Sequence, residues 1–135
     1  MTQNEDPYVR LVREYFRAME QSPDEATLTR FFSEDVRQRE FPNRLLENGA
    51  ARGLAELLEG HRRGQEVVKN QRYEILDLLR DGDRVAVELR WTAQLKVPLG
   101  KLAAGDVMTA HCAVFLRIRD GRIAEQHNFD CFEPF

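Results

Sequence analysis

Clustered positive charge is missing from this sequence. Its 20 lysines and arginines are interspersed with 23 acids, and the densest basic spot is only His61-Arg62-Arg63. Nucleic-acid binding needs a basic stripe or face, so nothing here points to it. Three such residues read as a solvated helix face. Long apolar runs are missing too: none approaches the roughly 20 residues that cross a bilayer. The opening, MTQNEDPY, lacks the basic start and apolar stretch of a secretory signal. The expectation is a cytoplasmic protein with no membrane and no nucleic-acid partner. Cysteine is scarce. Cys112 and Cys131 are too few for a disulfide framework, and a reducing compartment keeps them as thiols. CxxC and HxxxH spacings are both absent, so no metal site is expected. No repeat, low-complexity segment or linker interrupts the chain. Its 135 residues, 42% of them apolar, suit one domain over 1–135. A domain of that size buries roughly 68% of its unfolded surface and needs no staples.

What is present is patterned. Val9, Val12, Phe16 and Met19 recur at helical spacing over 7–20, with Leu11 and Tyr15 beside them. Ser22-Pro23-Asp24-Glu25 reads as a capping box: serine at the cap, proline at the first helical position, glutamate three after the serine. A short second helix then buries Leu28, Phe31 and Phe32. A third spans about 53–64, with Leu54, Leu57, Leu58 and His61 on one stripe and Gly64 able to stop or loosen it. A short strand at 36–41 lies between the second and third helices. Strands follow at 71–79, 84–97, 107–119 and 122–132, turned by Asp81-Gly82-Asp83, a loop over 98–105, and Asp120-Gly121. In 84–97 the residues Val85, Val87, Leu89, Trp91, Ala93, Leu95 and Val97 share one face, and Glu88, Arg90, Thr92, Gln94 and Lys96 the other. Helices first and a long meander afterwards predict an α+β fold, with helices packed on one face of a curved, mixed and mostly antiparallel sheet. Such a cone leaves a space that suits a ligand.

Several stretches together resemble one family. They are Tyr15-Phe16 followed by a break and Asp24, Phe32-Ser33-Glu34-Asp35-Val36, Gly53-Leu54-Ala55-Glu56-Leu57, Asp81 to Val87, and Phe115 to Ile123. The sequence is similar to the SnoaL-like group of the nuclear transport factor 2-like superfamily. Its relatives include ketosteroid isomerases, scytalone dehydratase, limonene epoxide hydrolase and polyketide cyclases. The resemblance covers nearly the whole chain. It implies a cone-shaped barrel with three helices on the sheet and a small, mostly apolar ligand. Any chemistry would be acid/base (isomerisation, cyclisation or dehydration) without a cofactor. A non-catalytic ligand-binding module and a dimeric interaction protein with a filled cone remain the alternatives, because fold does not carry function.

The resemblance also nominates residues. It turns Ala124, Gln126, Asn128, Asp130 and Phe132 into the cone, and Ile123, Glu125, His127, Phe129 and Cys131 outward. Asp130 is then either a structural carboxylate holding hydrogen bonds or a general base. Ketosteroid isomerases carry their base in an Asp-Pro turn. Here Phe41 precedes Pro42, so Glu40 takes that place only with a register shift of one. Their oxyanion-hole tyrosine falls on Phe16, with Tyr15 one position off, and their second oxyanion acid falls near Val114. These departures tell against isomerase chemistry of that type. The candidate catalytic residues are Asp130 and Glu40; Tyr15, Asn43 and Asn128 are candidate donors to an oxyanion. Phe16 and Trp91 are candidate walls of the site. Strict alternation puts His111 outside the cone, and a strand slip or bulge brings it inside as a ligand contact. Ala113 and Phe115, with Phe129 and Cys131 beside them, form an outer apolar patch, so a homodimer is expected.

Overall fold

The computed structural model describes residues 5–135; the polar start over 1–4 lies outside the described residues. Nine elements follow one another: α1 (Pro7–Glu20), α2 (Glu25–Thr29), β1 (Phe32–Glu40), β2 (Ala50–Arg52), α3 (Leu54–Val67), β3 (Val68–Asp81), β4 (Arg84–Leu95), β5 (Val107–Arg119) and β6 (Arg122–Phe132). The six strands make one sheet in the order β2-β1-β6-β5-β4-β3. Among the described residues only β1 and β6 run parallel, and every other strand pairing is antiparallel. This is the α+β cone with a mixed, mostly antiparallel sheet and three helices.

Local chemistry explains the boundaries. Asp6 caps α1, accepting from the Tyr8 and Val9 backbone N–H groups at 2.7 and 3.3 Å, with Pro7 at the first helical position. The other Asp6 oxygen accepts from Arg80 Nη1 at 2.9 Å and ties the helix start to β3. Val12, Tyr15 and Phe16 are buried against the sheet. The cap of α2 is Asp24, whose carboxylate accepts from Thr27 N at 2.7 Å, and Ser22 is a left-handed turn residue at φ 51°. The expected serine capping box is therefore replaced by an aspartate cap. Phe31 and Phe32 lie beyond α2, and Phe32 opens β1. Gly64 does not stop α3, because its carbonyl still accepts from Val68 N.

The sheet departs from strict alternation in informative places. A bulge shifts the β5–β6 register, so that Ile118 pairs with Ile123 but Arg117 with Glu125. The extra residue, Ala124, moves Ile123 into the core, fully buried, where unbroken alternation puts it outside. From Gln126 onward the expected alternation holds. Val97 lies beyond the end of β4 and is exposed. The three-residue strand β2 has no counterpart in the sequence-based expectation. It reaches β1 through Gly49, at φ +66°, where a Cβ would collide with the Glu40 carbonyl oxygen. The Asp120-Gly121 turn has both residues at positive φ, 52° and 73°, the pairing that a two-residue hairpin of right-handed twist requires.

Among the described residues no helix is long and apolar enough to cross a membrane. Both cysteines are free thiols. Cys112 is buried and Cys131 is exposed, because neighbouring strands point them to opposite faces of the sheet.

Candidate functional site

The cone holds two adjoining spaces. The outer one, about 590 Å³, is bounded by α1, α2, β1 and α3 and by the loops over 41–49 and 96–106. Its body is apolar, with Leu28, Phe32, Leu57, Val67, Leu99 and Met108 among the walls. Gly60 and Gly64, one turn apart on α3, also line it and leave helix backbone facing the space. The inner one, about 200 Å³, lies deeper against β4, β5 and β6 and is lined by Phe16, Tyr73, Cys112, Asn128, Asp130 and Phe132 among others. Leu45, Gln71 and Trp91 border both. A cone with this much open volume is not a filled one.

Asp130 sits in the inner space, opposite Cys112 across the β5–β6 pair. Burial pushes its carboxyl above the ordinary aspartate value. The Cys112 thiol and the Arg52 charge work the other way, and the Glu40 charge adds to the rise. Burial likewise pushes the Cys112 thiol up, so it stays protonated. A chain of hydrogen bonds runs beside Asp130: the Tyr15 hydroxyl donates to Gln126 Oε1 at 3.2 Å, and Gln126 Nε2 donates to Asn128 Oδ1 at 3.0 Å. Gln126 is only 2% exposed and is the one charged or polar side chain in the fully buried set of the described residues. Burial pushes the Tyr15 hydroxyl up to about 12.

Glu40 borders the outer space, and both of its oxygens are occupied. Arg52 Nη1 donates to Oε1 at 3.0 Å, and Asn43 Nδ2 donates to Oε2 at 2.8 Å. Asn43 is thus not an oxyanion donor in this arrangement. Its amide holds Glu40, and its oxygen accepts from Leu45 N and Leu46 N at 2.9 Å each. Arg52 Nη1 also donates to Gln38 Oε1 at 3.0 Å. Trp91, which borders both spaces, donates from Nε1 to Gln71 Oε1 at 3.0 Å and meets Phe132 edge-on at 6.1 Å.

Of the residues nominated from sequence, Tyr15, Phe16, Glu40, Trp91, Asn128 and Asp130 border one space or the other. His111 does not. The β5 register is unbroken around it, so no slip or bulge turns it inward, and its Nε2 lies 2.8 Å from Glu133 on the outer face. His61 is half-buried, and its Nε2 lies 2.7 Å from the Pro23 carbonyl oxygen and 3.0 Å from Gln65 Nε2, a contact that joins α3 to the α2 entry. Sequence reasoning did not single out Arg52, Gln71 or Gln126. Gln126 shares the alternation of Asn128 and Asp130, but Arg52 and Gln71 have no local signal. Among the described residues no group of three or more His, Cys, Asp or Glu is arranged to hold a metal ion.

The profile of the SnoaL-like domain matches residues 12–126. The chain belongs to the SnoaL-like family. No curated protein matches this SnoaL-like sequence. Solved structures do match its fold. IdmH of Streptomyces antibioticus, described as a candidate polyketide cyclase, is 18% identical, with 91% of each chain covered and a TM-score of 0.76. A candidate SnoaL-like polyketide cyclase from Jannaschia sp. CCS1 is 17% identical, with 92% of this chain and 85% of that one covered and a TM-score of 0.73. A protein of ketosteroid isomerase-like fold from Catenulispora acidiphila, solved with trimethylamine, is 19% identical, with 88% and 83% covered and a TM-score of 0.69. At such identities the likeness concerns the SnoaL-like fold alone.

Proposed function

We propose that this SnoaL-like protein takes a small, mostly apolar carbonyl compound into the cone and acts on it by cofactor-free acid/base chemistry. The observation that carries the reading is Asp130, a carboxyl lifted by burial in a small apolar space, with the Asn128 amide lining the same space. In the proposed step the Asp130 carboxylate takes a proton from the carbon next to the carbonyl. The C–H electron pair moves onto the carbonyl oxygen, giving an enolate that accepts a hydrogen bond from Asn128 Nδ2. The protonated Asp130 then returns the proton to the carbon that the product requires. A carboxylate with a raised pKa is a stronger base than an ordinary one. An isomerisation, a cyclisation or a dehydration can each begin this way. The neighbours described as candidate polyketide cyclases make polyketide-like ring ketones the first compounds to try.

Glu40 is the second candidate base. Arg52 and Asn43 occupy its oxygens, which favours a role as a charge beside Asp130 rather than as the proton acceptor. The test is solvent deuterium exchange into 2-tetralone, an enolisable bicyclic ketone, followed by proton NMR. Asp130→Asn should lower the protein-catalysed rate by roughly 10²–10⁴, the usual size of one general base, with ketone binding retained. Exchange at the wild-type rate in Asp130→Asn, and its loss in Glu40→Gln, would transfer the role to Glu40.

A homodimer formed through the outer sheet face is part of the same proposal. Phe115 and Phe129 are 39% and 40% exposed there. They meet edge-on at 5.9 Å, and Phe41 stacks on Phe129 at 4.3 Å. A contiguous aromatic cluster on a strand face, with Ala113 and Cys131 beside it, supports self-association.

A further inference from the structure

Gln71 stands where the two spaces meet, lining both. Its Oε1 accepts two hydrogen bonds, from Trp91 Nε1 at 3.0 Å and from the Tyr73 hydroxyl at 3.2 Å. An indole nitrogen can only donate, so the atom facing Trp91 must be the amide oxygen and the amide cannot turn over. Two donors also fill both lone pairs of that oxygen. Tyr73 reinforces the arrangement, because burial pushes its hydroxyl up and it keeps its proton. What Gln71 has left to offer is its NH2 group. An amide ordinarily presents either character to a ligand, but this one presents donors alone.

We infer that Gln71 donates a hydrogen bond to the ligand, and that the ligand carries an accepting oxygen, a ketone or quinone carbonyl and not a hydroxyl, level with Trp91 where the outer space opens into the inner one. The inference rests on the cone being a small-molecule site and adds its selectivity. The inner space is small enough that a ring reaching into it also passes Asn128 and Asp130. A hydroxyl oxygen could accept from the same amide, but its own proton would find the Gln71 Oε1 already filled, and a buried unpaired donor costs free energy.

The experiment is calorimetric titration with 2-acetylnaphthalene and 2-ethylnaphthalene, which share a shape and differ in one carbonyl. Gln71→Met keeps the length of the side chain and removes the amide. It should weaken binding of the ketone by about 3- to 10-fold, the worth of one neutral hydrogen bond, and leave the hydrocarbon unchanged. Gln71→Glu keeps an acceptor for Trp91 and Tyr73 but removes the NH2. It should make 1-(2-naphthyl)ethanol bind more tightly than the ketone, reversing the wild-type order. Equal weakening of ketone and hydrocarbon in Gln71→Met, or an unreversed order in Gln71→Glu, would overturn the inference while the small-molecule site stands. If the wild-type protein binds neither naphthalene, the reading of the cone as a site for such molecules falls, and the inference falls with it.

Discussion

Arg52 Nη1 and Glu40 Oε1 lie 3.0 Å apart across the β1–β2 edge, an ion pair with both side chains largely screened from solvent. The pair brackets Asp130 electrically: Glu40 raises its pKa, Arg52 lowers it, and burial outweighs both. Glu40→Gln should therefore move the Asp130 titration to lower pH, and Arg52→Met should move it to higher pH. Carboxyl-carbon NMR titration of Asp130 reads both. A shift in the same direction in the two variants would contradict this account.

Asp130 should weaken the fold where it is ionised. Its folded pKa lies above the unfolded value of about 3.9. The folded chain then holds the proton more tightly, and stability declines as pH rises through the window from that value to the raised one. Asp130→Asn has no such titration. Its stability relative to wild type should increase between pH 3 and pH 7, measured by urea unfolding at both. A relative loss over that interval would make Asp130 a structural carboxylate instead.

Tyr15 should act at the other end of the scale. Its folded pKa of about 12 exceeds the unfolded value of about 10. The stability it supplies is complete below pH 10 and is lost as pH rises towards 12, amounting to about 2–3 kcal/mol. Tyr15→Phe lacks that loss. Wild type and variant should converge or cross in denaturant midpoint between pH 9 and pH 11.5. A constant gap between them would mean that the hydroxyl does not titrate on unfolding.

The outer aromatic cluster predicts assembly. The protein should sediment at twice its 15.7 kDa chain mass at micromolar concentration. Phe129→Glu, which places a charge beside Phe41 and Phe115, should sediment as a monomer with an unchanged circular dichroism spectrum. A wild-type monomer at these concentrations would remove the dimer from the proposal.

The meander and its hairpins were legible in the sequence, because strand alternation and the Asp-Gly turns are local signals. The family resemblance, and not the alternation by itself, turned Asp130 and Asn128 inward; both line the inner space because the bulge that breaks the alternation comes earlier, at Ala124. The bulge itself was not legible: nothing in Arg122-Ile123-Ala124 marks one residue as extra. The α2 cap went to Asp24 because a carboxylate there reaches Thr27 N, while Ser22 took the turn. Arg52, Gln71 and Gln126 were hidden for a different reason. Each gains its meaning from a partner 12 to 111 positions away, such as Glu40, Trp91 and Tyr15, and pairings of that kind appear only once the sheet is assembled.

Trp91 is the only tryptophan in the chain, and it borders both the outer and the inner space. Its indole is already committed to Gln71 and lies edge-on to Phe132. A molecule lodged in either space lies beside a wall that this ring helps to form, and no second indole dilutes what it reports. The protein thus carries its own optical gauge of occupancy. A compound library can be screened on the unlabelled chain by the colour and intensity of its ultraviolet emission.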